Sequence, residues 1–187
     1  MASQGFNNTN FNVYTNAPES LAFNIDSNGL VTRPQQVVFS GTLNLESNVT
    51  GDGTPAAPGA VTPVTILTNV GSGFRPGNGA GMGCSFISPV SGIYLFSFFP
   101  IWNVTPTSGS ITAIVNILTP SYTYLFQNLP TSEQYTNFFG SNNFISLGTS
   151  CISRMNSGNT ATFTVTISGG SKTASISTGY VSGILLA

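Results

Sequence analysis

Few residues in this chain could do acid–base or metal chemistry. Its 187 residues include no histidine, which removes the commonest general base and the commonest metal ligand. Among the acids, only Glu46 and Asp52 are near each other, and they lie on or beside a glycine-rich loop. A glycosidase-type pair needs two carboxylates on a rigid scaffold. We therefore interpret the acids as surface residues and predict that the chain is not an enzyme and uses no cofactor or metal ion.

The other candidates for chemistry are a glycine-rich segment and two cysteines. The segment "GSGFRPGNGAG" is only a weak signal for a phosphate-binding loop, because no Lys-Ser/Thr and no helix follows it. We predict a long loop between strands, in which Arg75 caps a carbonyl or anchors a ligand. Cys84 and Cys151 are too few for a disulfide framework. We expect two small buried side chains, with a single bridge as the open alternative.

The composition is that of a β-sheet protein with almost no charge. Charged residues make up 5% of the chain, against about 25% in ordinary soluble domains. The net charge of −1 offers no basic surface to nucleic acid. The N-terminus lacks the pattern of a signal peptide and no apolar run is long enough for a spanning helix, so we expect a soluble protein without membrane insertion. Such an uncharged surface favours a packed or assembled setting.

The chain divides into two segments that differ in their pattern of apolar and polar residues. Residues 1–35 are polar, rich in Asn and without a long apolar period, which predicts an extended N-terminal arm for attachment or partner binding. A short strand at "SLAFNID" is compatible with this arm. In residues 36–187, short apolar runs are separated by Gly, Pro, Asn and Ser, and no helical period is present. This pattern predicts an all-β head domain, a sandwich or jelly roll.

The stretch "GIYLFSFFPIW" at residues 92–102 is apolar on both of its faces. A sandwich strand in a monomer needs only one apolar face. The second face therefore contacts either a loop of the same chain or another subunit of an obligate oligomer. The low charge and the many aromatic residues favour the oligomer. One face carries Tyr94, Phe96, Phe98, Pro100 and Trp102, and the other carries Ile93, Leu95, Ser97, Phe99 and Ile101.

Several motifs of the head resemble those of one family. Phe86 followed by Gly92-x-Tyr94-x-Phe96-x-Phe98 resembles the signature of the globular head of complement q-subcomponent, within the tumour necrosis factor superfamily. Further blocks of that family are similar to "RPQQVVFSG", "NVGSGF", "MNSGNTATFTV" and "YVSGILLA", which occur here in the family's order. The resemblance covers the chain from about residue 34 to its end.

The resemblance implies a ten-stranded jelly-roll β-sandwich of the tumour necrosis factor-like type, which forms homotrimers with closed cyclic symmetry. The sequence departs from the family in a longer segment between Phe74 and Phe86, and in Asn159, which stands where the family has an acid. Whether the aromatic face of residues 92–102 meets the sandwich core or the three-fold axis stays open. The residues assigned to the trimer interface or the core are Tyr94, Phe96, Phe98, Trp102 and Leu185.

Two classes of function follow from these observations. The first is a structural protein: a trimeric knob or decoration on the surface of a virus particle, held by residues 1–35, with a spore-coat protein or surface filament tip as variants. The second is an extracellular recognition module that binds a host receptor or glycan. The expected partners are further copies of the chain and other particle or surface proteins. The candidates for stacking on sugars are Tyr122, Tyr124, Tyr135 and Trp102.

Overall fold

The computed structural model describes residues 36–104, 112–128 and 144–186, together with four strands that precede them in the chain. The chain divides into two compact units, Met1–Val37 and Val38–Ala187. Every regular element among the described residues is a β-strand. The described part of the chain contains no helix with the length and apolarity needed to cross a membrane.

The first unit contains a four-stranded antiparallel sheet. Its strands lie in chain order, β1 (Gln4–Phe6), β2 (Phe11–Tyr14), β3 (Leu21–Ile25) and β4 (Val31–Thr32). β3 falls within the "SLAFNID" segment, whereas the sequence predicted the rest as extended arm. Antiparallel pairing satisfies the backbone groups of very short segments, and segments of two to five residues carry no apolar period that reveals them in the sequence.

The second unit is a sandwich of two antiparallel sheets, in agreement with the all-β prediction. Its strands among the described residues are β5 (Val38–Thr42), β6 (Glu46–Thr50), β7 (Pro55–Ala56), β8 (Thr65–Val70), β9 (Phe74–Arg75), β10 (Ser85–Ile87), β11 (Gly92–Asn103), β12 (Thr112–Leu118), β13 (Thr123–Asn128), β14 (Phe144–Ser146), β15 (Thr149–Met155), β16 (Thr160–Ser168) and β17 (Ala174–Leu185).

The strand order is that of a jelly roll. One sheet has six strands in the order β13-β12-β16-β10-β9, with β7 also paired to β16. The other has seven strands in the order β14-β11-β17-β5-β8, with β15 also paired to β11 and β6 to β17. The chain passes repeatedly from one sheet to the other, so that β11, β15 and β17 belong to the seven-stranded sheet while β10, β12 and β16 belong to the six-stranded one. The predicted jelly-roll sandwich is therefore confirmed.

Aromatic rings fill the space between the two sheets. Phe39 of β5 stacks on Phe74 and Phe86, with ring centroids 4.6 and 4.9 Å apart. It also lies 6.2 Å from Phe96 of β11 and 6.4 Å from Phe163 of β16. Since these rings come from both sheets, their burial holds the sandwich closed, and each contributes about 1.5–3 kcal/mol relative to an exposed side chain.

Two hydrogen bonds between Asn69 and Phe74 close the turn between β8 and β9. The Nδ2 of Asn69 donates to the carbonyl of Phe74 over 3.1 Å, and the N–H of Phe74 donates to Oδ1 of Asn69 over 3.1 Å. An amide side chain can donate and accept at once, which a carboxylate cannot do. These bonds give a physical reason for an Asn five residues before a buried Phe in the "NVGSGF" block.

The two cysteines are free and buried, as the sequence predicted. Burial raises the pKa of the Cys84 thiol to about 12, with a further contribution from the charge of Glu46. Burial likewise raises the pKa of the Cys151 thiol to about 11. Because the thiolate is the reactive form, both side chains act as small apolar core residues.

Candidate functional site

The aromatic face of β11 lies in the core of its own chain. Tyr94, Phe96, Phe98 and Trp102 are each 0% exposed. The Tyr94 hydroxyl donates to the carbonyl of Val90 over 2.7 Å, which satisfies its polar end. The structure thus places these four predicted residues between the two sheets, so the sandwich core alone accounts for their apolar character.

Leu185 differs from the other predicted interface or core residues. It pairs with Tyr94 across β17 and β11 and is half-buried near the end of the strand. Trp102 was also a candidate for stacking on sugars, and its burial excludes that role in the folded chain. Alternate side chains of β11 point into the core, and Trp102 is one of them. Tyr135 lies outside the described residues.

The opposite face of β11 forms part of an apolar surface that no described segment of the second unit buries. Leu95 is flanked by Ile184 of β17 on one side and by Ile152 of β15 on the other, and Ile184 pairs with Val38 of β5. Ile152 is 59% exposed, and the other three are half-buried. This row crosses four strands of the seven-stranded sheet; we call the surface that contains it the outer face.

A row of hydroxyls crosses the outer face beside the apolar row. Ser97 lies between Ser150 and Ser182, and Ser182 pairs with Ser40. The hydroxyls of Ser97 and Ser150 are 2.9 Å apart and share a hydrogen bond. The row therefore offers polar groups that can specify the register of a partner, in the middle of an otherwise apolar surface.

Two stacked aromatic rings lie beyond the hydroxyl row. Phe99 of β11 stacks on Tyr180 of β17 with ring centroids 5.1 Å apart, and Tyr180 is 53% exposed. The ring of Phe99 covers the backbone at Gly148, where even a Cβ would lie within 1.8 Å of its Cδ1. A depression of about 580 Å³ beside Tyr180 is lined by residues that include Thr42, Leu67 and Ile101.

The outer face carries almost no charge. Across β5, β8, β11, β15 and β17, the only charged residue is Arg154, which pairs with Ile93 at one end of the face. In a sheet with one face in water, the strands ordinarily alternate apolar inward-facing residues with polar outward-facing ones, so the exposed face is polar. A nearly uncharged face with half-exposed Leu, Ile, Phe and Tyr instead has the composition of the buried part of a protein interface.

The apolar surface continues around the edge of the sandwich. The hydroxyl of Tyr124 on β13 donates to the carbonyl of Ile152 over 3.1 Å, which joins the edges of the two sheets. Tyr122 lies 6.1 Å from Tyr124, centroid to centroid, and is 68% exposed. Leu125 of β13 is exposed as well. One exposed apolar surface therefore covers both a sheet face and the adjacent edge.

Solved structures with a similar fold include the globular domain of the zebrafish complement 1qA protein, with 14% identity and a TM-score of 0.48 over 81% of this chain and 98% of that one. The Eiger TNF of S. frugiperda has 13% identity and a TM-score of 0.48 over 83% and 94% of the two chains. The PRD1 vertex protein P5 has 16% identity and a TM-score of 0.46 over 81% and 99%.

No family model and no curated protein sequence matches the chain. The resemblance predicted from the motifs is found among solved structures, and at these identities it concerns the fold alone. The strand order itself defines the jelly roll here, and nothing about function follows from these similar structures.

Glu46 corrects the prediction that the acids lie on the surface, because it is 1% exposed. Its Oε1 accepts hydrogen bonds from the N–H groups of Gly59, Val61 and Thr62, over 2.7, 3.2 and 3.1 Å. These donors replace water around the carboxylate and make its burial tolerable. Asp52 is exposed and accepts from the N–H of Thr54, and this hydrogen bonding lowers the pKa of Asp52.

Proposed function

We propose that the chain is a structural protein: a homotrimeric knob or decoration on the surface of a virus particle, attached through residues 1–35. The observation that carries the proposal is the outer face, together with the apolar edge beside it. The core face of β11 is buried within the second unit, whereas its second apolar face is not covered by any described segment of that unit.

The assembly we propose packs the edge of one subunit against the outer face of the next. The exposed side chains of Tyr122 and Leu125 supply the edge. The outer face supplies the exposed Ile152 and Tyr180 and the half-buried Ile184 and Val38. Such a contact joins two different surfaces, and it leaves no open end only if the copies close into a ring. Three copies are the number that the motif resemblance implies.

The virion setting is supported by composition and by the division of the chain. Only 5% of the residues are charged, so the surface has little charge repulsion to keep single copies apart. The N-terminal segment, Met1–Val37, is a compact unit of its own, as an attachment segment would be. A protein that functions in an assembly tolerates both features.

The assembly is tested with a substitution on the outer face. Ile152→Asp places a charge on a side chain that is 59% exposed, so the jelly roll should fold while the trimer dissociates. Light scattering of the wild type should give the mass of three chains, and the variant that of one. Met82→Asp is the matched control and should remain trimeric, since Met82 is exposed in the loop between β9 and β10, which belong to the other sheet. A monomeric wild type at micromolar concentration would refute the proposed assembly.

Attachment is tested on particles. Deletion of residues 1–35 should leave a soluble trimer that no longer joins the particle, and antibody labelling in electron micrographs should place the intact protein on the particle surface. Labelling that is absent from particles would contradict the virion location.

An extracellular recognition module is the second candidate. Tyr122 favours it, because a 68% exposed ring close to Tyr124 can stack on a ligand. If the intact protein occurs free and binds a cell-surface ligand, and Tyr122→Ala abolishes that binding, this function replaces the structural one.

A further inference from the structure

The hydroxyl row of the outer face spans the whole width of the seven-stranded sheet. Five neighbouring strands contribute one hydroxyl residue each, in the order Ser150, Ser97, Ser182, Ser40 and Thr68. The row therefore begins on β15 and ends on β8, which are edge strands on opposite sides of this sheet. Ser150 is exposed and the other four residues are half-buried, so all five side chains keep accessible surface.

Most of these hydroxyls have no hydrogen-bond partner among the described residues. The hydroxyls of Ser97 and Ser150 share one hydrogen bond of 2.9 Å. Those of Ser182, Ser40 and Thr68 form none within the described part of the chain. A hydroxyl donates one hydrogen bond and accepts up to two, so the row keeps unused donors and acceptors. An apolar partner surface would bury them without partners, which is costly.

The row is complementary to a second copy of itself. A hydroxyl can donate to another hydroxyl or accept from it, whereas a row of like charges would repel its own copy. The neighbouring row, from Ile152 through Leu95 and Ile184 to Val38, continues to Val70 and is apolar throughout. It too is complementary to its own copy. Neither row offers a countercharge to a charged partner, so the surface fits another subunit of the same chain.

The spacing of the rows makes the alignment of two subunits matter. Along β11, Leu95, Ser97 and Phe99 belong to three successive rows, which are about 7 Å apart. A ring of subunits whose axis runs parallel to the strands keeps each row at its own level, so hydroxyls meet hydroxyls. A slip by one row would place the hydroxyls against apolar side chains and leave them unpaired, and this cost selects the aligned register.

We propose that the hydroxyl row fixes the register between the subunits of the homotrimer. Ser150, at the edge of one subunit, bonds to the hydroxyl row of the next subunit at Ser182, Ser40 or Thr68. This inference rests on the proposed trimer and adds the residues that align its subunits. The apolar row provides the affinity and the hydroxyls select the alignment, as a single polar residue does in the seam of a coiled coil.

Disulfide cross-linking tests the alignment. Ser150→Cys is combined with Ser182→Cys, Ser40→Cys or Thr68→Cys in the full-length chain, and each purified protein is oxidised with diamide. Within one chain these positions are two or more strands from Ser150, about 10 Å or more, which exceeds the limit of about 7 Å between the Cα atoms of a disulfide. At least one pair should therefore link separate chains on a non-reducing gel.

The matched control combines Ser150→Cys with Thr42→Cys. Thr42 is half-buried on the same strand as Ser40 and two residues from it, so it lies on the same face but one row away. This pair should give about tenfold less cross-linking, because an aligned register keeps it outside disulfide distance. Ser150→Cys alone gives the background.

Removal of the hydroxyls tests whether they cause the alignment. Ser40→Ala, Ser97→Ala and Ser182→Ala are combined in one chain, which should keep its circular dichroism spectrum because none of the three residues is fully buried. Light scattering should no longer show a single trimeric species. The control combines Ser85→Ala with Thr162→Ala, two half-buried and mutually paired residues of the other sheet, and should remain a homogeneous trimer.

The inference is overturned if the wild type is a trimer but none of the row pairs cross-links, or if the Thr42 pair cross-links as well as they do. A triple alanine variant that remains a homogeneous trimer would overturn it as well. These results would leave the proposed assembly standing. A monomeric wild type, measured by light scattering before any cysteine is introduced, would instead overturn the assembly itself, so the two failures are distinguishable.

Discussion

Single residues in this chain show how burial changes the chemistry of a side chain. Glu46 lies in the interior because three N–H groups of one turn surround its Oε1. Cys84 is buried near that carboxylate, and both desolvation and the nearby negative charge disfavour its thiolate. At Cys84 desolvation is the larger of these two effects.

The thiols predict how stability changes at alkaline pH. Their pKa values in the folded chain are about 12 for Cys84 and about 11 for Cys151, against 9.0 for an ordinary thiol, so the folded state holds protons that the unfolded state loses. The free energy of unfolding should therefore be unaffected by the thiols below about pH 9 and fall as the pH rises above it. Urea unfolding of wild type and of Cys84→Ala, at about pH 8 and about pH 10.5, measures this. An equal loss of stability in both proteins would contradict it.

At the scale of elements, β11 is the central strand of the second unit, because it pairs with β14, β15 and β17. Its alternate side chains are buried between the sheets, and the rest lie on the outer face. The two faces should respond differently to substitution, since the first is enclosed between the two sheets and the second is the face that we propose contacts another subunit.

Phe96→Asp tests the core face of β11. Phe96 is 0% exposed and contacts the rings of Phe39, Phe86 and Phe163. An unpaired charge there costs several kcal/mol, on the order of 3–5, which is comparable to the whole stability of many domains. We expect insoluble or unfolded protein by circular dichroism, in contrast to folded Ile152→Asp. A folded Phe96→Asp would show that this face is accessible to water.

Gly179 lies next to a bulge between β11 and β17 and has no room for a side chain. The register shifts between Ile101 and Trp102, and Gly179 pairs with Pro100 at a φ of 139°. A Cβ at this position would lie 2.3 Å from the carbonyl oxygen of Phe99. Gly179→Ala should lower the free energy of unfolding by more than about 1 kcal/mol. Gly81→Ala serves as the control in the same urea titration, because Gly81 also has a positive φ but an added Cβ there would meet nothing within 4 Å. Equal midpoints for the two variants would contradict the steric role of Gly179.

At the scale of the whole molecule, the near absence of charge predicts how the proposed trimer responds to salt. Arg154 is the only charged residue on the strands that form the outer face, so the subunit contact should depend on apolar burial rather than on ion pairs. Salt screens ion pairs but does not weaken apolar contacts. The mass measured by light scattering should stay that of a trimer up to about 1 M sodium chloride. Dissociation as salt is added would show that charges hold the subunits together.

Much of the fold could be predicted, because successive side chains of a strand point to opposite faces and this alternation is visible in a short stretch of sequence. The strand at "GIYLFSFFPIW" alternates as expected, and the resemblance carried by the spacing from Phe86 to Phe98 indicated the jelly roll. The paired strands β1, β2 and β4 were not predicted, since each has at most four residues. The burial of Glu46 was not predictable either, because its donors follow it by 13–16 residues across a loop.

The sequence by itself determined that residues 92–102 form a strand with two apolar faces in an all-β head, because alternation and composition are local properties. It could not distinguish the faces, since both are apolar. Only the tertiary structure decided that Tyr94, Phe96, Phe98 and Trp102 meet the other sheet and that Leu95 and Phe99 lie on the outer face. The physical reason is that the six-stranded sheet covers only one side of the seven-stranded sheet. Which side it covers depends on how strands that are distant in the sequence pair with each other.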